Sequence, residues 1–158
     1  MEDSMHRATY DELCNAARRR VATISPAGCR ACKTESALII DVREASEWQD
    51  GVVPGATLIS RGMLEREVMK HVGDHEATIF LYCATGKRSL LAAESLQAMG
   101  YSDVQSIEGG FAAWLEEGFE ITAGPSSVVQ HDDRPHGGKP SCAVGLLGFT
   151  FTDIGNNN

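Results

Sequence analysis

Residues 81–92 read LYCATGKRSLLA. A cysteine, Cys83, stands where an apolar run ends and a turn containing Gly86, Lys87 and Arg88 begins. Three local effects act on its sulfur. The helix predicted to follow points its N-terminus at this spot, and the unpaired N–H groups there attract negative charge. Gly86 lets the turn curl with successive amides facing inward, an anion-binding concavity. Lys87 and Arg88 add positive charge. All three favour thiolate over thiol, which predicts a nucleophile at neutral pH. No histidine adjoins the turn, so activation is expected from amides and cations and not from a general base. The alternative is that Cys83 is a small apolar residue closing a buried strand.

Other reactive residues carry weaker patterns. Cys29-x-x-Cys32 resembles half of a redox or zinc site, but zinc needs a second pair of ligands and no second Cys-x-x-Cys or His pair exists. On a helix the two thiols share a face, and they are read as ordinary half-buried cysteines; a resolving role towards Cys83 is the alternative. Cys142 is a further thiol on the tail, and Cys14 has no assigned role. His71 and His75 are separated by Gly73, which argues against one continuous helix, and His131, His136 and Cys142 lack compact ligand spacing. No metal and no cofactor are expected. Arg18–Arg20 reads as a solvated helix face.

These residues need a scaffold, and 158 residues suffice for one domain with a core and a tail. Twenty-two acidic against 14 basic residues give a net charge of −8, which argues against nucleic-acid binding. No apolar run approaches the roughly 20 residues that span a bilayer. The N-terminus lacks the apolar segment of a secretory signal, so a cytoplasmic location and free thiols are expected. Periodicity predicts a helix over 8–20 with Thr9 as N-cap, a strand over 21–25, and a helix opened by Ser25-Pro26 and running to about 36. The apolar runs ALIIDV (37–42) and ATIFLY (77–82) suit strands covered on both faces, as in a parallel sheet. A short strand at 57–60, helices at 63–72 and 88–99, a strand at 103–107 and a helix at 111–117 complete an alternating pattern of βαβ units. From Gly124 the chain holds three of its five prolines and six of its sixteen glycines, so 124–158 is read as a mobile extension. Its apolar stretch CAVGLLGFTF (142–151) is a candidate docking element.

Several segments together resemble the rhodanese family of sulfurtransferases. LIIDVREASE (38–47) followed by GVVPGA (51–56) resembles the family's DVRE and G-H-I-P-G-A signature. RGMLE (61–65), CATGKRS (83–89) and EGGFAAW (108–114) resemble the segment after the next strand, the active-site loop and the closing motif. The resemblance covers about residues 21–120. It implies an α/β, three-layer, rhodanese-like domain over 21–123, with a central parallel sheet between helices, preceded by a helical extension at 1–20. Val52 stands where the family usually has His, which removes any hydrogen bond that His would make.

The resemblance also implies a mechanism. Cys83 attacks the sulfane sulfur of a small donor such as thiosulfate or glutathione persulfide, and a persulfide forms on Cys83. A thiol, on a small molecule or a protein, or cyanide in an assay, then takes the sulfur, and Cys142 is a further candidate to receive it. The amides of Ala84, Thr85, Gly86, Lys87, Arg88 and Ser89 are expected to stabilise the charged sulfur, with Lys87 and Arg88 attracting anionic donors. Asp41 and Arg43 are expected to hold loops together, and Arg61 to face either the pocket or solvent. Phosphatase relatives of the fold use Cys-x5-Arg. Here Arg88 follows after four residues and Ser89 takes the position of the phosphatase Arg, so a phosphatase or arsenate reductase is the less favoured enzyme reading. The loop also differs from the Cys-Gly-Ser-Gly type associated with mercaptopyruvate. A non-enzymatic reading is a persulfide carrier that serves a protein partner.

Overall fold

The computed structural model describes residues 7–126. Five short strands, β1 (Ala22–Ile24), β2 (Leu38–Asp41), β3 (Thr57–Leu58), β4 (Thr78–Tyr82) and β5 (Asp103–Ile107), form one sheet in the order β1-β5-β4-β2-β3. Every pairing is parallel. The strongest apolar runs, β4 and β2, lie side by side in the interior of the sheet, where both faces are covered. Side chains alternate along them. Ile40, Ile79 and Leu81 enter one core with Val68, Leu90, Ala93 and Leu96. Ile39, Phe80 and Tyr82 enter the other with Cys29, Ile107, Phe111 and Trp114. The first core lies under α1 (Tyr10–Arg18), α3 (Leu64–His71) and α4 (Lys87–Ala98), and the second under α2 (Pro26–Cys32) and α5 (Gly110–Glu116). The architecture is the three-layer α/β arrangement expected from the alternating pattern.

Local signals set most boundaries. Thr9 caps α1 in a reciprocal box: its hydroxyl accepts from the Glu12 amide and the Glu12 carboxylate accepts from the Thr9 amide at 2.7 Å. Ser25 caps α2 through the Gly28 amide, but α2 stops at Cys32, short of the expected 36, because Lys33 turns to extended backbone. The expected helix over 63–72 is a 3₁₀ turn, Arg61–Met63, running into α3. Leu64 and Val68 of that helix are buried, whereas Met69 is 57% exposed. Two features escape the sequence reading. Ala45–Asp50 forms a 3₁₀ turn, and the chain returns after α5 so that Val52 and Thr122 exchange backbone hydrogen bonds of 2.9 Å. Residues 127–158, including Cys142 and the stretch 142–151, lie outside the described residues.

Candidate active site

Parallel register brings the carboxyl ends of the strands to one level. Asp41 of β2 stands opposite Tyr82 of β4, and Leu81 opposite Ser106 of β5. Cys83 follows Tyr82 at this edge, where ligands of open α/β sheets gather. The loop that carries it is held from behind by the start of α5. The Phe111 amide donates to the Cys83 carbonyl at 2.8 Å and the Ala112 amide to the Ala84 carbonyl at 3.0 Å. Gly110, at φ 59°, makes this approach possible, since an added Cβ would run into the Cys83 carbonyl oxygen. With these carbonyls drawn outward, amides can face the sulfur. Gly86, left-handed at φ 90°, turns its N–H onto Cys83 Sγ at 3.1 Å. The amides of Lys87, Arg88 and Ser89, in the first turn of α4, have no intrahelical acceptor.

Cys83 is only 1% exposed. Its Sγ lies 3.7 Å from Ser89 Oγ, which is itself 2.8 Å from Ser106 Oγ. Both serines are buried, so a short polar line runs behind the sulfur. Sequence reading included Ser89 for its amide and missed Ser106, which lies 17 positions away on β5.

The two loop cations are both engaged. Arg88 meets Glu47 as a fork, Nη1 to Oε2 and Nη2 to Oε1 at 2.8 Å each. Hydrogen bonding to Glu47 raises the Arg88 guanidinium further, and the same bond holds the Glu47 carboxyl below its ordinary range. Lys87 Nζ pairs with Asp11 of α1 at 2.7 Å, which raises the ammonium, and sits 5.9 Å from the Tyr10 ring centroid. Glu47, Asp11 and Tyr10 are contributions to the site that sequence reading missed. Cys14 is also close, its Sγ 3.9 Å from the Lys87 carbonyl.

The site is thus a strand-end cysteine under an amide loop, backed by a Gly-Gly-Phe helix start. The family model described as a rhodanese-like domain matches residues 30–117. The chain belongs to that family. Among curated relatives, a sulfurtransferase of Allochromatium vinosum is 31% identical over 60% of this chain and 86% of its own. A thiosulfate sulfurtransferase of Pseudoalteromonas translucida is 32% identical over 51% of this chain and 74% of its own. Among solved structures, a Rhodopseudomonas palustris protein described as of unknown function and a possible tyrosine phosphatase superposes with a TM-score of 0.65. It is 29% identical, over 77% of this chain and 99% of its own.

In this rhodanese-like domain Asp41 and Arg43 form a buried clamp. Arg43, 2% exposed, binds Asp41 through Nε and Nη2, the latter at 2.7 Å, and donates to the carbonyls of Glu47 at 3.1 Å and Gly51 at 2.7 Å. Its guanidinium lies 4.0 Å from the Phe111 ring centroid. The clamp therefore ties the 45–50 turn, which carries Glu47, to the strand ends and to α5. Arg61 points elsewhere, to Glu65 and Ser95. Cys29 is fully buried in the α2/α5 core, and burial pushes its thiol up to about 11, while Cys32 is exposed. The pair is thus one core thiol and one surface thiol. Nearby, a cavity of about 160 Å³ lined by Arg30, Lys33, Ile39, Val53, Trp114 and Phe119 contains none of the Cys83 loop. Among the described residues no three His, Cys, Asp or Glu side chains converge to hold a metal ion, and no helix is long and apolar enough to cross a membrane.

Proposed function

We propose that the protein is a sulfurtransferase that carries sulfane sulfur as a persulfide on Cys83. The single observation that supports this most is the 3.1 Å hydrogen bond from the Gly86 amide to a sulfur set at the N-terminus of α4. That is the environment in which a thiolate, and then a persulfide anion, is stabilised without a general base. With thiosulfate, Cys83–S⁻ attacks the outer sulfur of S–SO₃²⁻. The bond between the two donor sulfurs breaks, sulfite leaves with the electron pair, and Cys83–S–S⁻ remains. An acceptor thiolate or cyanide then attacks the outer sulfur of the persulfide, and Cys83–S⁻ returns. The amides of Ala84 through Ser89 hold the charged sulfur in both halves. Sulfurtransferase names among the relatives point the same way.

The test is intact mass after thiosulfate alone, with thiocyanate formation once cyanide is added. Wild type gains one sulfur and turns over; Cys83→Ser does neither. A gain without turnover favours a persulfide carrier whose acceptor is a protein. No gain from thiosulfate or glutathione persulfide removes the reading and returns attention to oxyanion chemistry. Against that chemistry stands the short loop: the sixth position after Cys83, where Cys-x5-Arg has its arginine, is Ser89, which is fully buried, and Arg88 is already paired.

A further inference from the structure

The cations that would receive an anionic donor already hold carboxylates, and the two pairs are not alike. Lys87 and Asp11 meet in the open, with side chains 48% and 69% exposed, where solvent and salt weaken the attraction. Arg88 and Glu47 are each 30% exposed and joined by two parallel bonds, the stronger geometry. Glu47 is also delivered to Arg88 by a fixed support. Its Oε2 accepts from the Glu44 amide at 2.9 Å, and its backbone carbonyl accepts from the buried Arg43 at 3.1 Å. Arg88 in turn belongs to the first turn of the helix whose N-terminus carries the Cys83 loop. A donor anion that needs Arg88 must displace a carboxylate that the fold holds in place.

We infer that Glu47 is a specificity-determining charge gate: it competes with anionic donors for Arg88, so Cys83 accepts sulfur more readily from an alkyl persulfide than from dianionic thiosulfate. This rests on the sulfurtransferase reading. With the favoured donor class the step is Cys83–S⁻ + R–S–SH → Cys83–S–SH + R–S⁻. The S–S bond of the donor breaks, a new S–S bond forms on Cys83, and the thiolate leaves with the electron pair. The reacting group of R–S–SH enters uncharged, whereas thiosulfate presents a dianion at its reacting end and sulfite leaves as one.

The experiment separates charge from chemistry. The Cys83 peptide is followed by mass spectrometry while the protein reacts with iodoacetamide, which is neutral, or iodoacetate, which is anionic. Wild type is compared with Glu47→Gln, in which the amide oxygen still accepts from the Glu44 amide. The same proteins are assayed for sulfur uptake from thiosulfate and from 2-hydroxyethyl persulfide, an alkyl persulfide with no other charged group. The gate predicts that Glu47→Gln raises the iodoacetate-to-iodoacetamide rate ratio by about three- to tenfold. It also predicts a lower KM for thiosulfate by a similar factor, a smaller change in kcat, and persulfide uptake within about twofold of wild type. An unchanged ratio with normal sulfur uptake overturns the gate and leaves the sulfurtransferase intact. No uptake by wild type from either donor overturns the parent reading, and the donor preference with it. If Glu47→Gln fails to fold, wild type alone decides: raising salt from about 0.05 to about 0.5 M must lift the iodoacetate ratio at Cys83 more than at the exposed Cys32 of the same chain, and an equal or smaller rise overturns the gate.

Discussion

Cys83 and Cys29 are nearly equally hidden, at 1% and 0% exposure, yet their surroundings differ in kind. Cys29 sits in the α2/α5 core among Ile39, Phe80 and Trp114, and burial pushes its thiol up to about 11. Cys83 stands one residue past β4, with an amide hydrogen on its sulfur and a helix start beside it. Burial alone makes a thiol inert, because a charge taken from water without a partner is costly. Burial under converging amides leaves room for the charged form. Solvent exposure therefore does not separate Cys83 from Cys29; the hydrogen-bond donors around each sulfur do.

The most direct way to break this comparison is to make the same change at both sites. Cys83→Ser should abolish sulfur uptake and thiocyanate formation, whereas Cys29→Ser should keep activity per folded molecule and lower stability by about 1–3 kcal/mol, since a hydroxyl then replaces a thiol in an apolar core. Activity assays beside chemical denaturation read both. The polar side of the comparison also depends on Arg43. Arg43→Met leaves Asp41 buried without its ion-pair partner, and an unfolding free energy lower by about 3–5 kcal/mol is expected from denaturant titration.

Gly86→Ala sharpens the comparison at the amide itself. At φ 90° an L side chain is strained, and the added Cβ would stand 3.1 Å from the Gly109 amide nitrogen. A loss of stability of about 1 kcal/mol and a fall in sulfur-uptake rate of about tenfold should follow, read by thermal unfolding and stopped-time mass spectrometry. A last effect is the share of the alkaline pH dependence that Cys29 contributes. Its folded-state value of about 11 lies above the ordinary 9.0, so the folded chain keeps a proton that the unfolded chain releases. This stabilisation is whole below about pH 9 and is lost as pH rises through about 11. Over that window wild type should lose about 2 kcal/mol more than Cys29→Ala, in which no thiol titrates at this site. Denaturation curves at stepped pH measure the difference.

The readings that succeeded from sequence were local ones. Thr9 caps α1 and Ser25 caps α2 because a cap acts over two or three residues. The runs at 37–42 and 77–82 announced interior strands because β2 and β4 are covered on both sides. Where sequence reading strayed, the placement in space did not follow the local pattern. Met69 shares an apolar spacing with Leu64 and Val68 but faces solvent. The 45–50 turn holds few apolar residues to announce it, and it is pinned by Arg43 through two carbonyls.

The chain's order of residues was enough to place a cysteine at a strand end, a glycine three residues on and a helix start behind it. All of these lie within seven consecutive positions, so backbone geometry alone relates them. What surrounds that unit was decided by the tertiary fold. Glu47 reaches Arg88 across 41 positions, Asp11 reaches Lys87 across 76, and Ser106 reaches Ser89 across 17. Read along the chain, Lys87 and Arg88 are two positive charges beside a sulfur. In the folded protein each is met by a carboxylate, because electrostatic attraction depends on distance in space and not on separation in sequence.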